Sequence, residues 1–183
     1  MNGDVLLSIA RGSIAEAFGG PKPVAPAGEP WLDEQGAAFV TLTLDHALRG
    51  CVGSAQARRP LYDDVVENAK AAAFGDPRFT PLTADELART RLEVSVLSPL
   101  EKLDVENEAQ LLAVLRPGVD GLQLSWGAHR ALFIPEMWHQ VPDPREFVRL
   151  LKRKAGMPPH EWLPGTRVHR FTAQRFAEPE ARS

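Results

Sequence analysis

A thiol two residues from a guanidinium can do chemistry, and the stretch Leu48-Arg49-Gly50-Cys51-Val52-Gly53 offers that pair in Arg49 and Cys51. Cys51 is the only cysteine in the 183-residue sequence. A neighbouring cation favours the thiolate, the form that attacks electrophiles. Gly50 and Gly53 flank the thiol, and glycines remove bulk where a ligand or a backbone must come close. The other reading of a lone cysteine is a buried thiol on a bulged strand, acting as a small apolar side chain. No histidine is placed as its base, since His46 is nearest and stands at the far end of the hairpin. Cys51 is therefore a candidate nucleophile without a complete dyad.

The elements around it set its neighbours. The run Phe39-Val40-Thr41-Leu42-Thr43-Leu44 alternates and reads as a strand. With Asp45-His46-Ala47 as a three-residue loop, Leu44 faces Leu48, Leu42 faces Gly50 and Val40 faces Val52. Thr41, Thr43, Arg49 and Cys51 then share the opposite face, with Arg49 and Cys51 about 6–7 Å apart along the strand. A two-residue loop mixes Arg49 and Cys51 with the leucines, so it is rejected. Residues 91–97 alternate too, with Leu92, Val94 and Val96 on one face and Glu93 and Ser95 on the other. As a neighbouring strand, this segment adds Glu93 to the face of Arg49 and Cys51, with Leu48 and Val52 behind.

A helix begins at Pro60, with Asp63 and Asp64 suited to the positive end of its dipole. Its apolar stripe of Leu61, Val65 and Ala72 is completed by Asn68, whose amide must find partners in a neighbouring loop or face a cleft. The helix ends at Gly75-Asp76-Pro77-Arg78-Phe79, where Arg78 either pairs with Asp76 or presents its guanidinium to a ligand.

The remaining chain supplies scaffold. A helix spans 4–18, and its Gly12 suggests a close packing contact. Residues 19–30 form a loop rich in Gly, Pro and Ala. Thr83 and Glu86 make a capping box for a helix at 83–88. A helix at 106–115, strands at 122–126 and 130–134, and a strand at 166–173 follow. The strongest helix signal is at 144–155: Asp143 as N-cap, Pro144 at N1, Glu146 completing a box, Gly156 after the end. Phe147, Leu150, Leu151 and Lys154 are expected on or beside its inner face. The fold class is α+β, with a mainly antiparallel sheet flanked by helices.

Several function classes find no support. The histidines at 46, 129, 139, 160 and 169 lack zinc spacing, so no metal is expected. No dinucleotide or phosphate loop and no serine elbow is present, and no cofactor is expected. Arg145, Arg149 and Lys152 share a face of the 144–155 helix, which reads as a solvated outer face rather than a nucleic-acid surface. A net charge of −3 offers no general attraction to nucleic acid or anionic membrane. One cysteine, no apolar run of membrane-spanning length and no signal-peptide pattern point to a soluble cytoplasmic protein. The length suits one domain of at most two lobes.

The motif Arg49-Gly50-Cys51-Val52-Gly53 resembles the Arg-Gly-Cys-Ile/Val-Gly signature of the AMMECR1 family. The resemblance continues through Asn68-Ala69, Ala72 to Phe79, Pro81-Leu82, Glu86-Leu87, Glu93 to Leu97, Gly121-Leu122 and Lys154-Ala155-Gly156, with Trp162 after it. It implies two unequal lobes, with the matching residues gathered near the cleft between them. It also implies participation in a system with Memo-like and radical-SAM partner proteins. Glu136 and Met137 depart from the family's usual Leu-Pro-Gln-Val, and the second cysteine many relatives carry near Lys152 is absent, against an obligatory two-cysteine pair. The resulting expectation is an unknown small-molecule or modified-residue site lined by Arg49, Gly50, Cys51, Gly53, Asn68, Arg78 and Glu93. A non-catalytic docking module is the alternative, and nucleotide or nucleic-acid binding a weaker third.

Overall fold

The computed structural model describes residues 1–179. Its elements in chain order are α1 (Gly3–Glu16), a 3-10 turn at Pro30–Leu32, β1 (Gln35–Gly36), β2 (Ala38–Leu44), β3 (Ala47–Gly53), β4 (Arg59–Pro60), α2 (Leu61–Phe74), α3 (Ala84–Arg89) and β5 (Thr90–Leu97). There follow β6 (Glu101–Leu103), α4 (Glu108–Val114), β7 (Gly121–Trp126), β8 (His129–Phe133), a 3-10 turn at Pro135–His139, α5 (Pro144–Lys154), β9 (Arg167–Phe171) and β10 (Ala173–Ala177). The chain forms two compact units: Met1–Leu97 with the segment from Gln174 onward, and Ser98–Ala173. The architecture is the expected α+β, antiparallel strands flanked by helices, with two four-stranded sheets and a small two-stranded one of β1 and β4 among the described residues.

In the first unit the sheet order is β10-β5-β2-β3, and β2 pairs antiparallel with both β3 and β5. Ala38, Val40 and Leu42 alternate onto one face beside Leu92, Val94 and Val96. That face is covered by Leu6, Ile9, Ala10 and Ile14 of α1 and by Leu61, Val65, Ala69, Ala72 and Ala73 of α2. The alanine stripe lets α2 lie very close to β3. A Cβ built on Gly50 would stand 2.1 Å from the Ala72 carbonyl oxygen, so only glycine fits there. Gly12 serves a similar end in α1, where a Cβ would meet Pro23 at 3.2 Å.

The hairpin corrects one expectation. Leu44 pairs with Ala47, so the loop has two residues, Asp45 and His46, both at positive φ (50° and 65°). This primed turn matches the right-handed twist of the flanking strands, and Asp and His tolerate the left-handed region better than branched residues do. Thr43 faces Leu48 rather than Leu44 doing so, yet Leu42 still faces Gly50 and Val40 faces Val52. A bulge reconciles the two: the register shifts between Leu42 and Thr43, and Arg49 is the extra residue on β3. In a regular ladder the tight turn and the apolar register exclude each other, and the bulge admits both. Leu48, expected at the apolar face, is 43% exposed.

The second unit's sheet has the order β6-β9-β7-β8. Leu122, Leu124, Ala131, Phe133 and Val168 face a core completed by Leu111 of α4 and by Phe147, Val148 and Leu151 of α5. Trp138 stacks on Phe147 with ring centroids 3.8 Å apart and donates its indole N–H to the Asp120 carbonyl at 2.7 Å. Asp143 caps α5 through the Glu146 N–H, but the Glu146 carboxylate binds Arg149 instead of completing the box. The inner face of α5 buries Phe147, Val148, Leu151 and Lys152, with Leu150 partly buried beside it as expected, while Lys154 is exposed. Lys152 is 1% exposed, paired with Glu108 and 5.7 Å from the Trp162 ring centre. It does not belong to a solvated cationic stripe.

Among the described residues, no helix is long and apolar enough to cross a membrane.

Candidate functional site

β3 is the outermost strand of the first sheet, so one row of its backbone groups has no strand partner. At Cys51 that row is satisfied by the turn after α2. The Cys51 N–H donates to Asp76 Oδ2 at 3.0 Å, and Arg78 donates to the Cys51 carbonyl at 3.3 Å. Asp76 and Arg78 also bind each other through two side-chain hydrogen bonds, 2.9 and 2.7 Å long. The turn thus grips both polar groups of one residue with an ion pair. Asp76 is 5% exposed, and the Arg78 fork with the Cys51 and Arg78 N–H groups holds its carboxyl far below the usual carboxylate range despite burial. Arg78 is drawn toward its charged form chiefly by Asp76 and, to a smaller degree, by the Cys51 thiol.

Cys51 Sγ lies on the face of the sheet away from α1 and α2, opposite Thr41 on β2, whose hydroxyl donates to it at 3.3 Å. Thr41 in turn faces Glu93 on β5, and Glu93 pairs with Arg175 of β10. A polar row of Cys51, Thr41, Glu93 and Arg175 therefore runs across all four strands. Its members were legible from strand alternation except Arg175, which enters from a strand at the far end of the chain.

Arg49 does not join that row. Displaced by the bulge, its guanidinium forks onto Glu86 with two 3.0 Å bonds and reaches the carbonyls of Thr80 (2.9 Å) and Pro81 (3.4 Å). Its side chain is 11% exposed. Glu86 also completes the Thr83 capping box, and the Arg49 fork with the Thr83 N–H lowers its pKa to about 2. Arg49 and Arg78 flank the Phe79 ring at 5.9 and 5.5 Å from its centre. The sequence reveals Glu86 as a cap, but nothing in the spacing reveals its second task.

Asn68 takes the tying role. Its amide nitrogen donates to the Ala38 carbonyl, Ser54 Oγ and Asp64 Oδ2, at 2.9–3.0 Å. Asp64, 1% exposed, also accepts from the Ala38 N–H, Ser54 and Arg59. The expectation for Asp64 was a dipole contact alone, although its position one turn before Asn68 was a visible signal. The two glycines have packing reasons: Gly50 lies against α2, and a Cβ on Gly53 would stand 2.2 Å from the Phe39 ring. Neither opens a path to the thiol. The structure therefore gathers Cys51 with Arg78 and Asp76, places Arg49 beside Glu86, and leaves Asn68 in a separate network.

A thiol with a hydroxyl donor and a guanidinium nearby has two of the features that favour a thiolate, while Asp76 opposes them. Among the described residues no group of three or more His, Cys, Asp or Glu is disposed to hold a metal ion.

The family model described as AMMECR1 matches residues 7–176. A protein of Methanothermobacter thermautotrophicus is 42% identical over 96% of this chain and 94% of its own. A protein of Methanocaldococcus jannaschii is 36% identical over 98% of this chain and 92% of its own. The crystal structure of an uncharacterised protein from Pyrococcus horikoshii superposes with a TM-score of 0.85 at 34% identity, covering 96% of this chain and 91% of that one.

Proposed function

This chain belongs to the AMMECR1 family, and on that premise we propose that Cys51 is the working group of a small-molecule or modified-residue site served by Thr41 and Arg78. The observation that carries the reading is the 3.3 Å contact in which the Thr41 hydroxyl donates to Cys51 Sγ. A donor aimed at sulfur stabilises the anion more than the thiol, and Arg78 adds positive charge from the adjoining turn. The Asp76–Arg78 pair fixes the Cys51 backbone, so the sulfur is held in one position rather than swinging with a frayed edge strand. The protein acts, in this reading, in the cytoplasm beside Memo-like and radical-SAM partners.

The test is alkylation of the native protein by iodoacetamide as a function of pH. The expected result is labelling that sets in below the pH at which a free thiol ionises and is slowed by Thr41→Val. Labelling only after denaturant defeats the reading and leaves Cys51 as a packing residue. Untargeted mass spectrometry of the purified protein checks for a co-purifying ligand or a modified Cys51.

A second reading, a non-catalytic docking module, has its own support. Both motif arginines are already matched by carboxylates of the same unit, Arg49 by Glu86 and Arg78 by Asp76. Groups so neutralised fix a surface more readily than they seize an anion. Co-purification with the Memo-like and radical-SAM proteins, retained in Cys51→Ser, selects this reading; loss in Cys51→Ser selects the first.

A further inference from the structure

The second unit's sheet has a polar side that the Cys51 site does not use. Because Leu122, Leu124 and Val168 face the core, Gln123, Ser125, Arg167 and His169 lie on the other side. The register sets Lys102, His169 and Gln123 in one row across β6, β9 and β7, and Arg167, Ser125 and Arg130 in the next row across β9, β7 and β8. In the first row two buried atoms lack hydrogen-bond partners, Gln123 Oε1 and His169 Nδ1. Gln123 is only 3% exposed. A native interior rarely leaves two neighbouring polar atoms unmet, because each forgoes its bond to water without a replacement.

Charge gathers at the same place. Desolvation, then the positive charges of Arg167, Lys102 and Arg130, push the His169 pKa down, so its ring is neutral at pH 7. Among the described residues neither Arg130 nor Arg167 forms a salt bridge, and both are exposed, which leaves the cationic end of the patch open to solvent. Lys102 is matched by the exposed Asp104. Lys102 and Arg167 also border a separate groove of about 740 Å³ along the β6 edge, walled by Leu103, Val105 and, from α4, Val114, and not lined by Gln123, His169 or Arg130. That volume is ample for a small organic molecule.

We infer that this face of the β6-β9-β7-β8 sheet binds a phosphomonoester, with Arg130 and Arg167 on its anionic oxygens and Gln123 and His169 on its protonated oxygen and ester side. A phosphomonoester suits both halves of the patch. Its oxyanions answer the arginine forks. Its second ionisation lies near neutrality, so it still offers an O–H to the unmet Gln123 oxygen. A sulfate has the charge without the hydroxyl. The inference is independent of the Cys51 reading, since it uses other residues in the other unit, and the two fail separately.

The experiment is isothermal titration of the full chain with inorganic phosphate and, in parallel, inorganic sulfate at the same ionic strength. The expected result is saturable phosphate binding, tighter than sulfate. In R130Q/R167Q the phosphate affinity is expected to fall about ten-fold or more, since both charge-assisted forks are lost. In Gln123→Leu the preference for phosphate over sulfate should disappear while sulfate binding stays. Thermal melts report the fold of each variant, and Gln123→Leu, which removes an unmet buried acceptor, is expected to melt no lower than the parent chain. Absence of saturable phosphate binding by the parent chain overturns the inference. So does phosphate binding that R130Q/R167Q leaves unchanged.

Discussion

At the scale of single residues, the charged groups of the motif read differently once their partners are known. Arg49 braces the hairpin against the 80–81 backbone and α3, so its planar fork is needed for the fold. Arg49→Lys keeps the charge and loses most of those bonds, with an expected cost of about 1–3 kcal/mol measured by urea unfolding. Had Arg49 merely balanced Glu93 at the surface, the change would be small. Glu86, on the other side of that fork, gives a pH signature. Its folded pKa, about 2, lies below the ordinary 4.5, so its contribution is present above pH 4.5 and is lost as pH falls toward 2. Asp76 is depressed further and extends the loss to still lower pH. Urea midpoints measured across this window should decline in the parent chain and decline less in Glu86→Gln. Equal slopes in the two proteins would show that the Arg49 fork adds nothing to acid stability.

At the scale of elements, the contact of β3 with α2 and the turn before it make opposite predictions. At Gly50 the obstacle to a side chain is the backbone of α2, which cannot move without dragging the core with it. At Gly53 the obstacle is the Phe39 ring, which can rotate away. Gly50→Ala is therefore expected to cost about 3 kcal/mol or more, and Gly53→Ala clearly less, compared by chemical denaturation. The turn runs the other way. His46 sits at φ 65°, where an L residue with a Cβ is strained, so His46→Gly should stabilise the chain by roughly 0.5–1 kcal/mol. A lower melting temperature in that variant would mean that the imidazole makes a contribution larger than the strain.

At the scale of the whole chain, the first unit is discontinuous. Its sheet has β10 as an outer strand, supplied after the chain has built the second unit. The segment is fastened at Glu178, which accepts a bidentate fork from Arg11 and the Leu92 N–H, while its own N–H donates to the Leu92 carbonyl. Arg11 additionally holds the carbonyls of Leu87 and Thr90. A chain ending at Thr172 should thus weaken the first unit rather than merely lose a tail. Hydrogen exchange is expected to rise in α1 and β5 of that variant, with protection of β7 and α5 largely kept. Uniform protection in both units would show that β10 is dispensable. Glu178→Ala, leaving the Arg11 fork without its carboxylate, should reproduce part of the effect, at about 1.5–3 kcal/mol.

Whatever depends on neighbours along the chain can be read from the residues alone. Alternation in 39–44 and 91–97 named the strands and their buried faces, and the Thr83 and Asp143 caps located the starts of α3 and α5. The motif from Arg49 to Gly53 identified the family. Tertiary structure decided the partners, because a charged side chain can reach several elements and its spacing does not say which. Glu93 met Arg175 across 82 positions rather than Arg49, and Lys152 went inward to Glu108 because Trp162 and the α5 core could bury its stem. The hairpin shows the same division at closest range. Strand periodicity fixed the register at Val40–Val52, but the two-residue turn required one residue to be absorbed. Only the close approach of α2 to Gly50 and the brace on Arg49 determined that the bulge would form at Arg49.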